Sequence, residues 1–508
     1  MNAVETLIDA TVETRHGRVR GAVVDGVCAF KGIPYAAPPF GANRFRPPQP
    51  PEPWGGTRDA LEFGPKVPQV PFPPPWDVLL KDEVDIGEDC LTLNVWSRDL
   101  ATADQPVIVW IPGGMFESGT AAMRAYDGSR FARDGVVCVT INYRVGAEGF
   151  LHLAGETANV GLLDQLAALE WVRENIAGFG GDAGNVTVVG ESAGAMSIGT
   201  MMAMPRAAGL FRRAIVESGG AHMVASLQTA AIVARSLAAR LGIEPTREAF
   251  AAVPVERMLI AEAELKAELT TNPDPTRWGM ELLLTMLPWQ PVVDGEVIPA
   301  RPIDRITEGV GATIDLMVGS NLDESNFFLV PGGMIDQIAE PQLAMMAAAY
   351  GLEPEPALSA YRALRPGAGV GELFSTIQTD WLFRIPALRM AEAHAKHRAA
   401  STYMYEFAWR SKQYGGRLGA CHGLEIPFAF DTLPESDPHG EPDPLLGADV
   451  PRALARTMHA AWVSFASYGF CDWPPFDLAT RATMRFDTIS SVVNDPLAAQ
   501  RAVWVGVR

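Results

Sequence analysis

Short, nearly continuous apolar runs alternate with a helical pattern through the first two thirds of this chain. Apolar runs of this length are typical of strands buried on both faces. Residues 165–177 instead place Leu169 and Val172 on one apolar stripe, which predicts a helix. Alternating strands and helices predict an α/β fold with a mostly parallel central sheet flanked by helices. The apolar runs cover residues 91–96, 107–111, 136–141, 186–189, 214–216 and 316–318.

The first part of the chain has a different pattern. Residues 11–14 and 19–23 alternate between apolar and polar side chains around a turn at Gly17, which predicts two strands. Residues 34–54 contain too many prolines for a helix or a central strand. We therefore expect an extended surface segment there.

Two later stretches, about 225–285 and 335–400, are rich in alanine and leucine and have a helical pattern. We expect them to be insertions that lie over the carboxyl edge of the sheet and roof a pocket. No internal repeat, low-complexity tract or flexible linker interrupts the chain. The sequence therefore predicts that residues 1–508 form a single domain that carries these helical insertions.

The sequence Gly190-Glu191-Ser192-Ala193-Gly194 fits the G-x-S-x-G pattern of a nucleophile elbow. An apolar strand precedes it and a helical pattern follows it, which is the context that the motif requires. In such a turn the serine is strained, and side chains at positions 190 and 194 would collide. The bare pattern also arises as an ordinary turn in glycine-rich chains, and this chain has 48 glycines. The flanking strand and helix favour the elbow.

Charge and hydropathy exclude several kinds of partner. With 41 basic and 60 acidic residues, the chain has a formal net charge of -19, which disfavours binding to nucleic acid. No apolar run reaches the roughly 18 residues that a membrane span needs. We therefore expect no nucleic acid and no membrane partner.

Cysteine usage and the first residues indicate a cellular compartment. The cysteines are an odd, sparse set that does not form a disulfide framework. Residues 1–10 carry acidic side chains and lack a basic region followed by an apolar stretch, so they do not predict a signal peptide. These features predict a protein of the reducing cytoplasm. The five cysteines are Cys28, Cys90, Cys138, Cys421 and Cys471.

A serine nucleophile needs a base, and the base needs an acid that orients it. Among eight histidines, His422 has the most suitable surroundings, because small residues on both sides let its loop approach other backbone. Glu324 follows the apolar run 316–318, and an α/β-hydrolase presents its acid on such a loop. Asp323 is a rival acid on the same loop. The order Ser192, Glu324, His422 is that of the α/β-hydrolases.

Longer motifs surround these residues, namely Phe30-Lys31-Gly32-Ile33-Pro34-Tyr35-Ala36, Arg44-Phe45-Arg46-Pro47-Pro48, Glu88-Asp89-Cys90-Leu91-Thr92-Leu93-Asn94, Asn142-Tyr143-Arg144-Val145-Gly146 and Phe179-Gly180-Gly181-Asp182. Together they resemble the type-B carboxylesterase family over nearly the whole chain. This resemblance implies the α/β-hydrolase fold and hydrolysis of carboxylic esters through an acyl-enzyme. It assigns Ser192 as nucleophile, His422 as general base and Glu324 as acid. It also implies a structural ion pair between Arg44 and Glu88.

An oxyanion hole requires backbone N–H groups aimed at the charge that develops on the substrate oxygen. One donor is expected from Ala193, the residue after the nucleophile. The resemblance places the others, Gly114 and Met115, in the glycine-rich loop that includes Gly113. Pro112 stands where the family usually has histidine, and Met115 stands where it commonly has glycine or alanine. These departures leave open how the loop is held.

Other polar residues near these motifs have structural as well as functional interpretations. Glu191 precedes the nucleophile and either tunes the electric field at the site or holds local water and backbone. Ser218 either joins a hydrogen-bond network behind His422 or is a solvated turn serine. Asp380 and Arg384, spaced i, i+4, are most simply a structural ion pair.

The segment before Cys90 departs from the family. Members often pair this cysteine with one upstream, whereas Lys66 and Val67 occupy that stretch here. We therefore expect residues 67–89 to form a loop without a covalent tie.

Aromatic residues in the regions expected to line the pocket are equally compatible with the core. They are Trp76, Trp278, Trp289, Phe327, Phe328 and Trp381.

The sequence thus predicts a serine hydrolase that acts on small-molecule carboxylic esters, as a monomer or a homodimer. No histidine or cysteine cluster has metal-binding spacing and no glycine loop is typical of a nucleotide site, so we expect no metal and no cofactor. A carbamate or amide substrate is an alternative, because the acyl-transfer machinery is shared. A non-catalytic binding module on the same fold is a second alternative, which the intact triad candidates disfavour.

Overall fold

A large mixed sheet crosses the described part of the computed structural model, which comprises residues 7–81, 84–434 and 443–507. The signal-peptide prediction for residues 1–10 concerns mainly residues outside these ranges. Residues 225–226 and 292–293 form a separate parallel pair of short strands. The strands are β1 (Leu7–Thr14), β2 (Gly17–Val24), β3 (Val27–Pro34), β4 (Thr57–Asp59), β5 (Thr92–Ser97), β6 (Gln105–Ile111), β7 (Val137–Ile141), β8 (Gly181–Glu191), β9 (Arg213–Glu217), β10 (Ala225–Ser226), β11 (Val292–Val293), β12 (Asp315–Asn321), β13 (Thr402–Phe407), β14 (Ala482–Phe486) and β15 (Ser491–Asn494).

Helices fill the connections between the strands. The helices are α1 (Trp76–Leu79), α2 (Ser129–Arg133), α3 (Gly146–Phe150), α4 (Val160–Asn175), α5 (Ala193–Met201), α6 (Leu227–Leu241), α7 (Arg247–Ala251), α8 (Val255–Thr271), α9 (Pro275–Trp278), α10 (Met280–Thr285), α11 (Pro302–Thr307), α12 (Asn326–Leu329), α13 (Glu340–Ala349), α14 (Pro354–Leu364), α15 (Val370–Thr379), α16 (Ile385–Ala395), α17 (Ile426–Ala429), α18 (Arg452–Tyr468) and α19 (Ala498–Val503). Thus α6–α10 and α13–α16 lie in the two stretches with a helical sequence pattern. Throughout the described ranges, each helix is too short or too polar to span a bilayer.

The strand order of the large sheet is β1-β2-β3-β5-β7-β6-β8-β9-β12-β13-β14-β15, with β4 beside β2. Pairings from β7 to β14 are parallel, whereas those from β1 to β7 and the last one are antiparallel. Parallel neighbours require crossover connections, and helices supply them on the faces of the sheet. This is the α/β-hydrolase architecture that the sequence predicts.

The central strands are apolar on both faces because helices cover both sides of the sheet. Every residue of β5 and of β7 is buried, and each fully buried aliphatic side chain contributes about 1.5–3 kcal/mol. The register places Ile111 opposite Gly190 and Glu191 opposite Glu217. The loops that leave β6, β8, β9 and β12 therefore meet at one edge of the sheet.

Most elements predicted from the sequence are confirmed. All the apolar runs named above become strands, namely β5 to β9 and β12. The predicted helix at 165–177 is α4, which begins earlier, at Val160, and passes into a 3-10 helix at Ile176. The sequence patterns did not predict β13, because Thr402 and Glu406 interrupt its apolar run. Both are buried, and Glu406 Oε2 accepts a hydrogen bond from Arg485 Nε at 2.7 Å.

The predicted ion pair between Arg44 and Glu88 is wrong. Arg44 pairs with Glu148 of α3, and its Nε donates to Oε1 at 2.9 Å and lies 3.1 Å from Oε2. The guanidinium also donates to the carbonyl oxygen of Ala251 at 3.2 Å. Both paired side chains are at most 4% exposed, whereas Glu88 is exposed. A buried guanidinium needs a carboxylate that is buried with it, and α3 supplies that carboxylate.

Two other features of the sequence have clear structural counterparts. The ion pair between Asp380 and Arg384 is confirmed, and it lies in a π-helical turn between α15 and α16.

Cys90 is buried and unpaired. Backbone hydrogen bonds close the base of the loop before it, because Lys66 N–H donates to the carbonyl of Asp85 at 3.0 Å.

Candidate active site

Ser192 occupies a sharp turn between β8 and α5. Its backbone has φ 56° and ψ -121°, a conformation that non-glycine residues rarely adopt. A Cβ at position 190 would lie 2.8 Å from the carbonyl oxygen of Ile111, and one at position 194 would lie 2.0 Å from it. Glycine is therefore required at both positions by the close approach of the turn to β6. The strained turn that the sequence predicts is confirmed.

The elements on both sides hold this turn in place. The Ser192 N–H donates to the carbonyl oxygen of Glu217, at the end of β9, at 2.9 Å. Helix α5 begins at Ala193, so its unpaired N–H groups and the positive end of its dipole lie at the turn. Ser192 is 7% exposed. Within the described residues, its hydroxyl takes part in no hydrogen bond.

His422 and Glu324 meet at the same edge of the sheet. Glu324 lies in the loop after β12, and His422 lies in the loop after β13. The imidazole Nδ1 lies 2.7 Å from Oε2 of Glu324, and Oε1 of Glu324 accepts a hydrogen bond from the Asn321 N–H at 2.7 Å. Both carboxylate oxygens are therefore held. The contact assigns a proton to Nδ1 and fixes the orientation of the ring.

Asp323, the rival acid, points to backbone instead of the imidazole. Its Oδ2 accepts a hydrogen bond from the Ala420 N–H at 3.1 Å and lies 3.3 Å from Nη2 of Arg410. Asp323 thus braces the loop that carries His422. Neighbours on one loop point in different directions, and here only Glu324 reaches the ring.

The other imidazole nitrogen faces Glu191. Nε2 of His422 lies 3.0 Å from Oε1 of Glu191, and both side chains are buried. Burial alone would lower the pKa of His422, but Glu191 and Glu324 outweigh burial and hold that pKa well above its ordinary value. Burial raises the pKa of Glu191, and His422 opposes this shift. The contact favours the interpretation in which Glu191 tunes the electric field at the site.

Ser218 belongs to a buried network behind His422. Its hydroxyl donates to Oε1 of Glu425 at 3.2 Å. The Asn321 side-chain amide donates to Oε2 of Glu425 and, at 2.8 Å, to the carbonyl oxygen of Cys421. Ser218 has 0% exposure, so its interpretation as a solvated turn serine is wrong. The network ties the loops after β9, β12 and β13 to one another.

Buried carboxyl groups crowd this region of the protein. Burial, with added repulsion from Glu191, raises the pKa of Glu217 to about 8, although Trp462 Nε1 donates to Glu217 Oε1 at 2.7 Å. Burial and repulsion from Glu191 and Glu324 raise the pKa of Glu425 well above its ordinary value. These shifts favour the neutral forms of Glu217 and Glu425. Repulsion against the carboxylates that contact His422 is thereby reduced.

The glycine-rich loop after β6 lies beside the elbow. A Cβ at position 113 would lie 2.7 Å from Oε2 of Glu191, so Gly113 packs directly against the residue before Ser192. The hydroxyl of Tyr143 donates to the carbonyl oxygen of Pro112 at 2.8 Å. This contact holds the start of the loop, which answers the question raised by the absence of the family histidine.

Backbone N–H groups remain open at this junction. Within the described residues, the N–H groups of Gly114 and Met115 donate no hydrogen bond. Ala193 is the first residue of α5, so its N–H has no acceptor within the helix. Across the part of the chain that the structure describes, the three candidate oxyanion donors are therefore not used by other protein groups.

Aromatic rings enclose the imidazole. The ring centroid of His422 lies 4.7 Å from that of Phe383, 5.2 Å from Phe328 and 6.3 Å from Phe327. Phe383 projects from the π-helical turn that contains Asp380. π-helical turns of this kind often occur at functional sites. The sequence pointed to Phe327 and Phe328 and missed Phe383.

The four remaining aromatic candidates make other contacts. Trp278 and Trp289 are buried in the hydrophobic core, and Trp381 stacks on Tyr350 with ring centroids 4.3 Å apart. The indole N–H of Trp76 donates to the carbonyl oxygen of Phe327 at 3.0 Å. Core packing therefore accounts for Trp278 and Trp289.

Sequence patterns also missed the partners behind the triad candidates. Glu425 stands between Leu424 and Ile426, and a carboxylate enclosed by apolar residues was the signal that could have found it. Asn321 had no comparable signal, because its position at the end of β12 depends on the fold.

Glu262 of α8 is buried where this helix meets α3. Its Oε2 accepts a hydrogen bond from the Ala147 N–H at 3.1 Å. Burial raises the pKa of Glu262 to about 8, against about 4.3 in an unfolded chain. A group with a raised pKa contributes stability that is complete below the unfolded pKa and is lost as the pH rises towards the folded value.

We expect Glu262→Gln to raise the melting temperature at pH 8 by about 2–4 °C relative to wild type and to change it little at pH 5. Glutamine keeps an oxygen for the Ala147 N–H and never ionises. Thermal melts from pH 5 to pH 8 measure the effect. Glu264→Gln on the same helix is the matched control, because Glu264 is exposed and pairs with Arg240 at 3.2 Å. A difference that does not grow with pH would contradict the expectation.

Known proteins resemble this chain in sequence and in fold. The sequence profile of the Carboxylesterase family matches residues 8–350 and 361–503. The chain is 37% identical to the para-nitrobenzyl esterase of Bacillus subtilis (strain 168), over 96% of this chain and 97% of that protein. It is 34% identical to the phenmedipham hydrolase of Pseudarthrobacter oxydans, over 90% of this chain and 89% of that protein. A crystal structure of a Geobacillus stearothermophilus carboxylesterase matches with a TM-score of 0.84 and 36% identity, over 98% of this chain and 100% of that chain.

Proposed function

Because this chain belongs to the carboxylesterase family and is a carboxylic ester hydrolase, we propose that Ser192, His422 and Glu324 form its catalytic triad. The observation that carries the proposal is the 2.7 Å contact between His422 Nδ1 and Glu324 Oε2. The strained backbone of Ser192 supports it, because that conformation is typical of a nucleophile elbow.

In the proposed reaction, the hydroxyl oxygen of Ser192 attacks the carbonyl carbon of the ester. Nε2 of the neutral His422 imidazole takes the hydroxyl proton and returns it to the oxygen of the departing alcohol. Because Glu191 and Glu324 raise the pKa of His422, the fraction of enzyme with this neutral ring increases with pH. Glu324 keeps the ring oriented and stabilises the imidazolium, which Glu191 also faces. A water molecule, activated in the same way, then attacks the acyl-enzyme and releases the carboxylic acid.

The proposed oxyanion hole consists of the N–H groups of Gly114, Met115 and Ala193. They stabilise the negative charge that forms on the former carbonyl oxygen in the tetrahedral intermediate. Loss of one such donor typically costs about 10²–10³ in kcat. Gly113 and Glu191 support this arrangement from the packed side of the loop.

Catalysis requires a small movement of His422. Its Nε2 lies 3.0 Å from Oε1 of Glu191, and no hydrogen bond between Ser192 and His422 is present among the described residues. Catalytic hydrogen bonds are often long or poorly aligned without substrate and tighten in the Michaelis complex. We propose that substrate binding brings Nε2 onto the hydroxyl of Ser192 while Nδ1 keeps its contact with Glu324.

We also propose the organisation in which the enzyme works. One carboxylesterase domain spans the chain, and the helices near 225–285 and 335–400 roof the pocket that receives a small-molecule ester. Unpaired cysteines support a cytoplasmic location, because disulfides are rare in reducing compartments. The proposed assembly is a monomer or a homodimer.

Reaction with an organophosphate tests the nucleophile. A dialkyl p-nitrophenyl phosphate is expected to label one site, and mass spectrometry of peptides should place the added phosphoryl group on Ser192. The Ser192→Ala variant should remain unlabelled. Label on another residue would show that this residue, and not Ser192, is the nucleophile. The absence of any label would favour a non-catalytic module.

A substrate panel tests the preference. We expect turnover of p-nitrophenyl esters of different chain lengths to exceed turnover of a matched aryl carbamate. Faster hydrolysis of the carbamate would favour the alternative substrate class on the same triad.

A further inference from the structure

The oxyanion loop contains consecutive non-glycine residues in the left-handed region. Met115 and Phe116 each have φ 59°. Side chains in this region are strained, and such a conformation persists only where surrounding contacts hold it. The contacts that hold these two residues therefore also aim the Met115 N–H.

A long helix of the roof contacts the residue that follows them. Nζ of Lys266, in α8, donates to Oε1 of Glu117 at 2.7 Å and to the carbonyl oxygen of Met286 at 2.7 Å. The side chains of Lys266 and Glu117 are 30% and 18% exposed. A pair that is largely shielded from water is screened less than a surface pair.

The same helix holds Phe116 through α3. Glu262 lies one helical turn before Lys266 and accepts a hydrogen bond from the Ala147 N–H at 3.1 Å. The neighbouring Gly146 N–H donates to the carbonyl oxygen of Phe116 at 2.7 Å. Phe116 has 0% exposure and packs on Phe150 with ring centroids 5.0 Å apart. Helix α8 is thus linked to both residues that follow Met115.

We propose that Glu117 and Lys266 are positioning residues for the oxyanion hole. Their ion pair fixes the end of the loop against α8 and thereby holds the Met115 N–H in its direction. The proposal rests on the assignment of Met115 as an oxyanion donor. It makes the helical roof part of the machinery that stabilises the transition state, as well as a cover for the pocket.

The expected changes in kcat and KM follow from the stage of the reaction at which the oxyanion forms. Negative charge on the substrate oxygen develops only as the transition state is approached, so a misaimed donor lowers kcat and leaves substrate binding nearly unchanged. Misalignment of one donor costs less than its removal. We therefore expect a loss of about 10-fold in kcat, below the roughly 10²–10³ for a deleted donor.

The experiment compares Glu117→Gln, Lys266→Met and the exchanged pair Glu117→Lys with Lys266→Glu. Measured quantities are kcat and KM for a p-nitrophenyl ester, and the inhibition constant of an aryl trifluoromethyl ketone. The ketone forms a hemiketal oxyanion with the nucleophile, so its binding reports the oxyanion hole. Both single variants should lower kcat about 10-fold, with KM changed less than about twofold. The inhibition constant should rise by a factor similar to the fall in kcat. The exchanged pair should recover most of the wild-type kcat.

Matched controls separate positioning from stability. Glu264→Gln removes a carboxylate from the same helix whose partner is Arg240, and it should keep wild-type kcat. Unchanged kcat in both single variants would overturn the proposal, and so would a loss confined to KM or an inhibition constant that stays at its wild-type value. If Ser192→Ala instead kept wild-type turnover, the proposed triad would fail, and the roles of Glu117 and Lys266 would fail with it.

Discussion

Replacing Ser192 by alanine is expected to lower kcat for a p-nitrophenyl ester by about 10⁵-fold or more. The substitution removes the atom that forms the acyl-enzyme. His422 and the oxyanion donors can then assist only direct attack by water, and the residual rate comes from binding and from the oxyanion hole. No other single substitution in the proposed site should cost more.

The fold of this variant is expected to survive. The hydroxyl of Ser192 makes no hydrogen bond within the described residues, so its removal leaves no buried partner unsatisfied. The melting temperature should stay close to that of wild type. Ser490→Ala is the matched control, because Ser490 Oγ donates to the Asp487 carbonyl at 3.3 Å on the β14–β15 hairpin. Retention of more than about a tenth of wild-type kcat at position 192 would contradict the triad.

Local chemistry made the elbow predictable. A strand, two glycines around Ser192 and a helix lie within one short segment, and the steric need for Gly190 and Gly194 follows from the tightness of the turn. The buried parallel strands were predictable for a similar reason, because burial on both faces leaves a nearly continuous apolar run.

Long-range partners were not predictable from local pattern. Arg44 could have paired with any acidic residue that the fold brought near it. The resemblance suggested Glu88, whereas α3 brings Glu148 to it in the core. The same holds for Glu425, which bonds to Ser218 from another strand's loop. Which residues pair with each other depends on which loops meet at the sheet edge. The spacing of residues along one chain does not contain that information.

The polar residues of β13 show how tertiary context overrides pattern. Thr402 and Glu406 are buried within the strand, where a pattern of apolar runs cannot recognise them. Glu406 is tolerated there because Arg485 on β14 donates to it at 2.7 Å. A buried charge with a bonded partner breaks the sequence signal without breaking the sheet.

The buried carboxyl groups near His422 give the site a definite electrostatic design. In the proposed reaction an imidazolium forms at His422, and Glu191 and Glu324 both lie within 3.0 Å of its ring nitrogens. Glu217 and Glu425 lie in the same buried region, and their raised pKa values keep further negative charge away. The net effect favours the protonated ring, which is the form that His422 takes in the proposed reaction once it has accepted the proton of Ser192.

Glu324→Gln is expected to lower kcat by about 10³–10⁴-fold. Glutamine at this position keeps the size of the side chain, but it cannot stabilise the imidazolium. Its amide also allows His422 to adopt the tautomer with a proton on Nε2, which cannot accept the proton of Ser192. The measurement is kcat for a p-nitrophenyl ester at a pH where wild type is fully active.

Asp323→Asn is the matched control, because it removes the neighbouring carboxylate from the same loop. Asp323 braces the Ala420 N–H at 3.1 Å and Arg410 at 3.3 Å, so its loss is expected to lower the melting temperature while kcat falls by less than about 10-fold. The two variants are expected to differ because adjacent side chains on this loop point in different directions and contact different partners. A larger kcat loss for Asp323→Asn than for Glu324→Gln would exchange their roles and make Asp323 the residue that orients the imidazole.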